Sequence, residues 1–150
     1  MTKSREELNA LPTRTYIDSC VLLYAAQGTS GPAERALPFL FDPWREYVTS
    51  DYVRLELVPH ATYNKRFEEV AFYEAFFKTA IRHIPTSKSL LDLAMELGCK
   101  TGVTGIDAIH VACAIFAGAE ELVTAERPTK PIYRTTAVRV VSINPPESTQ

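Results

Sequence analysis

Arg14-Thr-Tyr-Ile-Asp-Ser-Cys-Val-Leu-Leu-Tyr-Ala-Ala-Gln27 is the stretch on which the reading of the fold turns. Arg14 to Asp18 reads as a strand, rich in β-branched and aromatic side chains. Val21 to Gln27 reads as the helix that follows it, with Asp18 and Ser19 at the junction, where short polar side chains cap helices. A strand that leads directly into a helix opens a crossover to a parallel neighbour.

The same alternation continues downstream. Pro32 to Phe41 is expected to be helical, Glu46 to Thr49 a strand, and Asp51 to Asn64 a helix with Tyr52, Leu55, Val58, Thr62 and Tyr63 along one side and Pro59 as a kink or stop. Glu68 to Ile81 carries Phe72, Tyr73, Phe76 and Phe77, an aromatic stripe expected to face the core and available in part to a partner. Arg82 to Pro85 is a short strand. Ser87 to Leu97 is a helix closed by Gly98, and Gly105 to Ala117 one closed by Gly118. Glu121 to Thr124 and Val138 to Ile143 supply the last strands. Strands separated by helices predict right-handed crossovers and a three-layer α/β/α sandwich around a mainly parallel sheet.

The chain of 150 residues is expected to be one domain spanning 1–150, with frayed termini at 1–13 and 144–150. A hydrophobic share of 46% and a charged share of 23% exclude a disordered or fibrous chain. Cys20, Cys99 and Cys113 lack the spacing of a zinc site, and each is expected to be a reduced, partly buried thiol. No apolar run approaches the ~20 residues of a membrane span, and the N-terminus lacks the apolar stretch of a secretory signal, so a cytoplasmic protein is expected. A net charge of -2 gives no whole-molecule attraction to nucleic acid.

In open parallel sheets the functional crevice lies beyond the carboxyl ends of the strands. Asp18 ends the first strand, Glu126 follows Glu121-Leu-Val-Thr124 by two residues, Glu56 lies early in the helix after the second strand, and Asp107 sits in the first turn of the helix from Gly105. All four are expected at one edge. Asp107 alone reads more readily as a helper to helix-end amides, and Asp18 could likewise be a cap. Glu56, between Leu55 and Leu57, needs a cationic partner. Four neighbouring carboxylates repel, and a hard cation with oxygen ligands, Mg²⁺ or Mn²⁺, relieves that repulsion.

Three segments carry a resemblance. They are Tyr16-Ile-Asp-Ser-Cys-Val-Leu-Leu-Tyr24, Val48-Thr-Ser-Asp-Tyr-Val-Arg-Leu-Glu-Leu57, and Ile106-Asp-Ala-Ile-His-Val-Ala-Cys-Ala114 followed by Glu121-Leu-Val-Thr-Ala-Glu126. In order and spacing the chain resembles the PIN-domain nucleases, and among them the VapC-like toxins of toxin-antitoxin pairs. The resemblance implies that Asp18, Glu56, Asp107 and Glu126 are the catalytic metal ligands. It also implies a ribonuclease acting on RNA, an antitoxin that blocks the acidic groove, and a homodimer. Glu126 departs from the family's usual Asp, and Cys20 stands where a polar residue is common.

Ser19 and Thr124 are expected to orient the ligands by hydrogen bonds, with the Ser19 hydroxyl on Asp18. Arg127, Lys130, Arg134 and Arg139 follow Glu126 with no acid between them. Arg127 and Lys130 are the expected phosphate contacts, although such a run is also an ordinary solvated face. His110, one turn from Asp107, could approach the pocket, although a lone His on a helix more often packs or makes one hydrogen bond. Two other functions compete: a PIN-like module that binds RNA or protein without cleaving it, and another phosphoryl-transfer enzyme, for which the DxD motif and Gly-rich loop are missing.

Overall fold

The protein is described here by a computed structural model covering residues 11–28 and 31–146. Its strands are β1 (Thr13–Ile17), β2 (Arg45–Ser50), β3 (Arg82–Ile84), β4 (Glu121–Thr124) and β5 (Arg139–Ser142). The helices among the described residues are α1 (Ser19–Gln27), α2 (Gly31–Leu40), α3 (Asp51–Tyr63), α4 (Phe67–Thr79), α5 (Lys88–Thr101) and α6 (Gly105–Phe116), with a short 3₁₀ turn at Pro131–Arg134. Thr13 already pairs with Arg45, so regular structure begins inside the stretch expected to fray; residues 1–10 and 147–150 lie outside the described residues.

All four strand pairings are parallel, and the strand order is β3-β2-β1-β4-β5. The chain builds outward from β1 to β3, then returns to the other side of β1. That reversal puts the topological switch point between β1 and β4. Helices α1 to α4 pack among themselves and α5 packs on α6, giving helical layers around the sheet. As the central strand, β1 is buried on both faces, with Thr15, Tyr16 and Ile17 inaccessible to solvent.

Several local expectations need correction. Helix α3 runs through Pro59 to Tyr63 and buries Val53, Leu57 and Ala61, which recur every four residues; Leu55 and Tyr63 face solvent. Ile81 lies beyond the end of α4 and is exposed. Helix α5 continues past Gly98 and is closed by Gly102, whose φ of 80° is the left-handed conformation a helix end requires. Gly98 serves a different purpose: a Cβ there would stand 2.9 Å from the Val103 carbonyl, so its small size lets the chain fold back over the helix. All three cysteines are free thiols, but Cys99 is exposed rather than partly buried. Among the described residues, no single helix is long and apolar enough to cross a membrane.

The aromatic stripe of α4 is core. Tyr73, Phe76 and Phe77 are buried and Phe72 is half-buried. The Tyr73 hydroxyl has no hydrogen-bond partner among the described residues. A buried hydroxyl without a partner costs stability, so Tyr73→Phe should be neutral or stabilising by up to about 1 kcal/mol. Chemical denaturation with an unchanged m-value would register this; a loss of more than about 1 kcal/mol would mean the hydroxyl is satisfied.

Candidate active site

Asp18 follows β1 at the switch point, and its residue is only 5% exposed. Its backbone is extended and it caps α1, with Oδ1 accepting the Ser19 N–H at 2.8 Å. Oδ2 accepts the Thr124 hydroxyl at 2.8 Å from the end of β4. The carboxylate is thus pinned from both strands that flank the crevice. The Cys20 thiol lies 3.6 Å from Oδ2, and burial together with the Asp18 charge pushes its pKa up to about 12. Cys20 therefore stays protonated, a weak donor rather than a nucleophile.

Glu56 comes from α3, whose start is fixed by Ser50 capping the Val53 N–H. Its Oε1 accepts both the Ser19 hydroxyl at 2.7 Å and His110 Nε2 at 2.5 Å. The Ser19 hydroxyl therefore serves Glu56, whereas Asp18 receives the Ser19 backbone N–H. Burial pushes the Glu56 carboxyl upward, but the His110 and Ser19 hydrogen bonds and the imidazole's charge together hold it below the usual carboxylate range. His110 is shifted the opposite way: burial favours the neutral ring, but the Glu56 bond and the negative field of Asp18, Glu56 and Asp107 together raise its pKa.

Asp107 stands in the first turn of α6 and is half-buried. Burial and then the charges of Asp18 and Glu126 raise its pKa, Glu56 adding a smaller push and His110 opposing it. The other three predicted acids therefore all lie near enough for their charges to act on Asp107. They are not gathered into a closed cage, however: among the described residues no three His, Cys, Asp or Glu side chains converge as ready ligands of one ion. Glu126 is half-buried; its backbone N–H donates to Thr124 Oγ1 at 3.2 Å and its carbonyl accepts the Tyr133 hydroxyl at 2.7 Å.

The donor set is nonetheless that of a hard divalent cation. Every acid offers oxygen, and Asp107 bears like-charge repulsion that a cation would offset. Asp18, Glu56, Asp107 and Glu126 are the residues that would hold Mg²⁺ or Mn²⁺.

The basic run divides. Arg139 pairs with Glu121 at 3.0 Å, at the amino ends of the strands and hence the edge opposite the site. Arg134 donates to the Thr101 carbonyl at 3.1 Å. Arg127 and Lys130 are exposed just after Glu126.

The sequence reading missed the support behind Glu56. His110, read as packing, has Nδ1 at 2.7 Å from the Tyr16 hydroxyl, which is itself 2.8 Å from Ser50 Oγ. The available signal was Tyr16, a phenol two residues before an acid on a strand destined for complete burial.

A family model described as PIN domain matches residues 15–128. Similar solved structures include VapBC2 from Rickettsia felis bound to a DNA fragment from their promoter, with 17% identity, a TM-score of 0.65, and coverage of 87% of this chain and 98% of that one. A toxin-antitoxin complex from Klebsiella pneumoniae is similar at 19% identity and a TM-score of 0.64, again covering 87% of this chain and 98% of its counterpart. No curated protein matches the chain. At such identities the structural likeness speaks for the fold.

Proposed function

Because the chain belongs to the PIN-domain family, we propose that it is a metal-dependent endoribonuclease and the toxin of a toxin-antitoxin pair. The observation that carries this reading is the placement of Asp18, Glu56 and Glu126 close enough for their charges to act on Asp107 at the switch point of the sheet. The structural neighbours, both toxin-antitoxin assemblies, support a cognate antitoxin as partner.

Mg²⁺ or Mn²⁺ bound here would supply Lewis-acid activation of water and charge neutralisation at the phosphate. The chain's own contribution is placement. Thr124 and the Ser19 N–H hold Asp18 from opposite sides, and Ser19 and His110 hold one oxygen of Glu56. Arg127 and Lys130 are offered to substrate phosphates beside Glu126. The protonated Cys20 excludes an attacking thiolate. His110 is engaged on the Glu56 carboxylate, which speaks against its serving as one of a pair of imidazoles for acid-base attack by a 2'-hydroxyl.

The test is cleavage of a structured RNA in Mg²⁺ or Mn²⁺. Products should appear only with the divalent ion, disappear on chelation and return on re-addition. Cleavage that persists in excess chelator would refute the metal-dependent reading. A second reading, a PIN-like module that binds RNA or protein without cutting, draws support from Glu126 in place of the family's Asp and from the open spacing of the acids. In that case RNA would remain intact under all these conditions.

A further inference from the structure

We propose that His110, anchored by Tyr16 and Ser50, is a positioning residue that sets the Glu56 carboxylate for cation binding; this deepens the nuclease reading and rests on it. The ring is 1% exposed and sits on α6, while its partners come from β1, from the junction of β2 with α3, and from α3 itself. Hydrogen bonds of 2.8, 2.7 and 2.5 Å run from Ser50 to Tyr16, to His110 Nδ1, and from Nε2 to Glu56 Oε1. Ser50 also accepts the Val53 N–H, which ties the far end of the chain to the backbone of the helix that carries Glu56.

A carboxylate only accepts, so Nε2 carries the proton that faces Glu56. Further along, Nδ1 and the Tyr16 hydroxyl share one hydrogen bond, and the phenol oxygen and Ser50 Oγ the next. Each polar side-chain atom of this relay therefore has a partner.

Glu56 requires such help. Its side chain is 35% exposed, on a helix edge, with several rotatable bonds, and left alone it would sample solvent. The bonds from Ser19 and His110 both fall on Oε1, and Oε2 has no side-chain partner among the described residues. One oxygen is therefore clamped and the other is presented. The same Nε2 is 3.8 Å from Asp18 Oδ1, so a single ring sets the two carboxylates side by side. Packing alone would not require this chemistry, because a phenylalanine at 16 and an aliphatic residue at 110 would fill comparable space.

Isothermal titration of the whole chain with Mn²⁺ decides the matter, with thermal melts run on each variant. Gln places its amide nitrogen at about the reach of Nε2, and Asn at that of Nδ1. His110→Asn should weaken Mn²⁺ binding roughly 10- to 100-fold, whereas His110→Gln should stay within about 3-fold of the parent. Tyr16→Phe keeps the ring but frees it, and should weaken binding by about 3- to 10-fold. A folded His110→Asn that binds Mn²⁺ like the parent overturns the proposal. If His110→Asn does not fold, Tyr16→Phe decides in its place, and an unchanged affinity there overturns the proposal equally. Asp18→Asn is the control for the underlying reading: parental protein that fails to bind Mn²⁺, or binds it irrespective of Asp18→Asn, removes the metal-nuclease assignment itself.

Discussion

Asp18→Asn should lower the rate of RNA cleavage by about 10² to 10³-fold while leaving the melting temperature nearly unchanged. The two halves of that expectation have separate causes. Asparagine caps helices about as well as aspartate, and its oxygen can still accept the Ser19 N–H that now binds Asp18 Oδ1 at 2.8 Å. The Thr124 hydroxyl, which donates to Oδ2, need only rotate to accept from an amide. What disappears is a buried negative charge at the junction of β1 and β4. Asp107 is raised in part by that charge, so the variant also relieves the repulsion a cation would otherwise offset. Equal cleavage by a folded variant would reduce Asp18 to a helix cap.

Glu121→Ala should cost about 3 kcal/mol, the scale for breaking a buried ion pair from one side. The Glu121 side chain is 2% exposed at the start of β4; it accepts from Thr15 at 2.7 Å, from Arg45 Nε at 2.5 Å and from Arg139 at 3.0 Å. One carboxylate thus ties the amino ends of β1, β2, β4 and β5. Its removal leaves Arg45, itself 20% exposed, with Asp42 as its one ionic partner among the described residues. For a chain of this size the loss corresponds to a drop of roughly 6 to 12 °C in melting temperature. Burial pushes the Glu121 carboxyl upward, but the bonds from Arg45, Thr15 and Arg139 together hold it below the ordinary value of 4.5. A depressed folded pKa means that this stability is fully present above the unfolded value and is lost as pH falls through the folded one. The parent should therefore lose stability steeply below about pH 4.5, and Glu121→Gln should have a shallower acid limb. Parallel acid limbs would show that the network contributes nothing to stability.

The alternation of strands and helices was legible because each strand is a short β-branched or aromatic run and each crossover a longer helical one. Helix ends were less so. Gly98 and Gly102 are four residues apart and either can close a helix; only the Val103 carbonyl pressing on Gly98 decides between them. The buried face of α3 was misread because apolar side chains occupy both of its sides, and the choice of Val53, Leu57 and Ala61 is made by the helices α1 and α4 and the strand β2 that pack against it. Position along the strands led to the acids of the site. Their supports were visible only in part: Ser19 and Thr124 were named from position, but the bond from the Ser19 hydroxyl to Glu56 joins residues 37 apart and follows from how α1 meets α3. Glu121 carried a signal that went unused: a charged residue opening a fully buried strand, with arginines opening β2 and β5.

The bond between Thr124 and Asp18 joins residues 106 apart in the chain, and β4 is the second last strand to be made. During synthesis, β1, β2 and β3 can pair as soon as they emerge, since they are neighbours in order and domains fold from the N-terminal side. Asp18 and Glu56 are present from that stage, but Asp107, Thr124 and Glu126 are still inside the ribosome. Closing the longest loop in the domain is thus also the event that completes the groove. A ribosome making this chain meets an assembled acidic centre only once β4 and the residues after it have emerged.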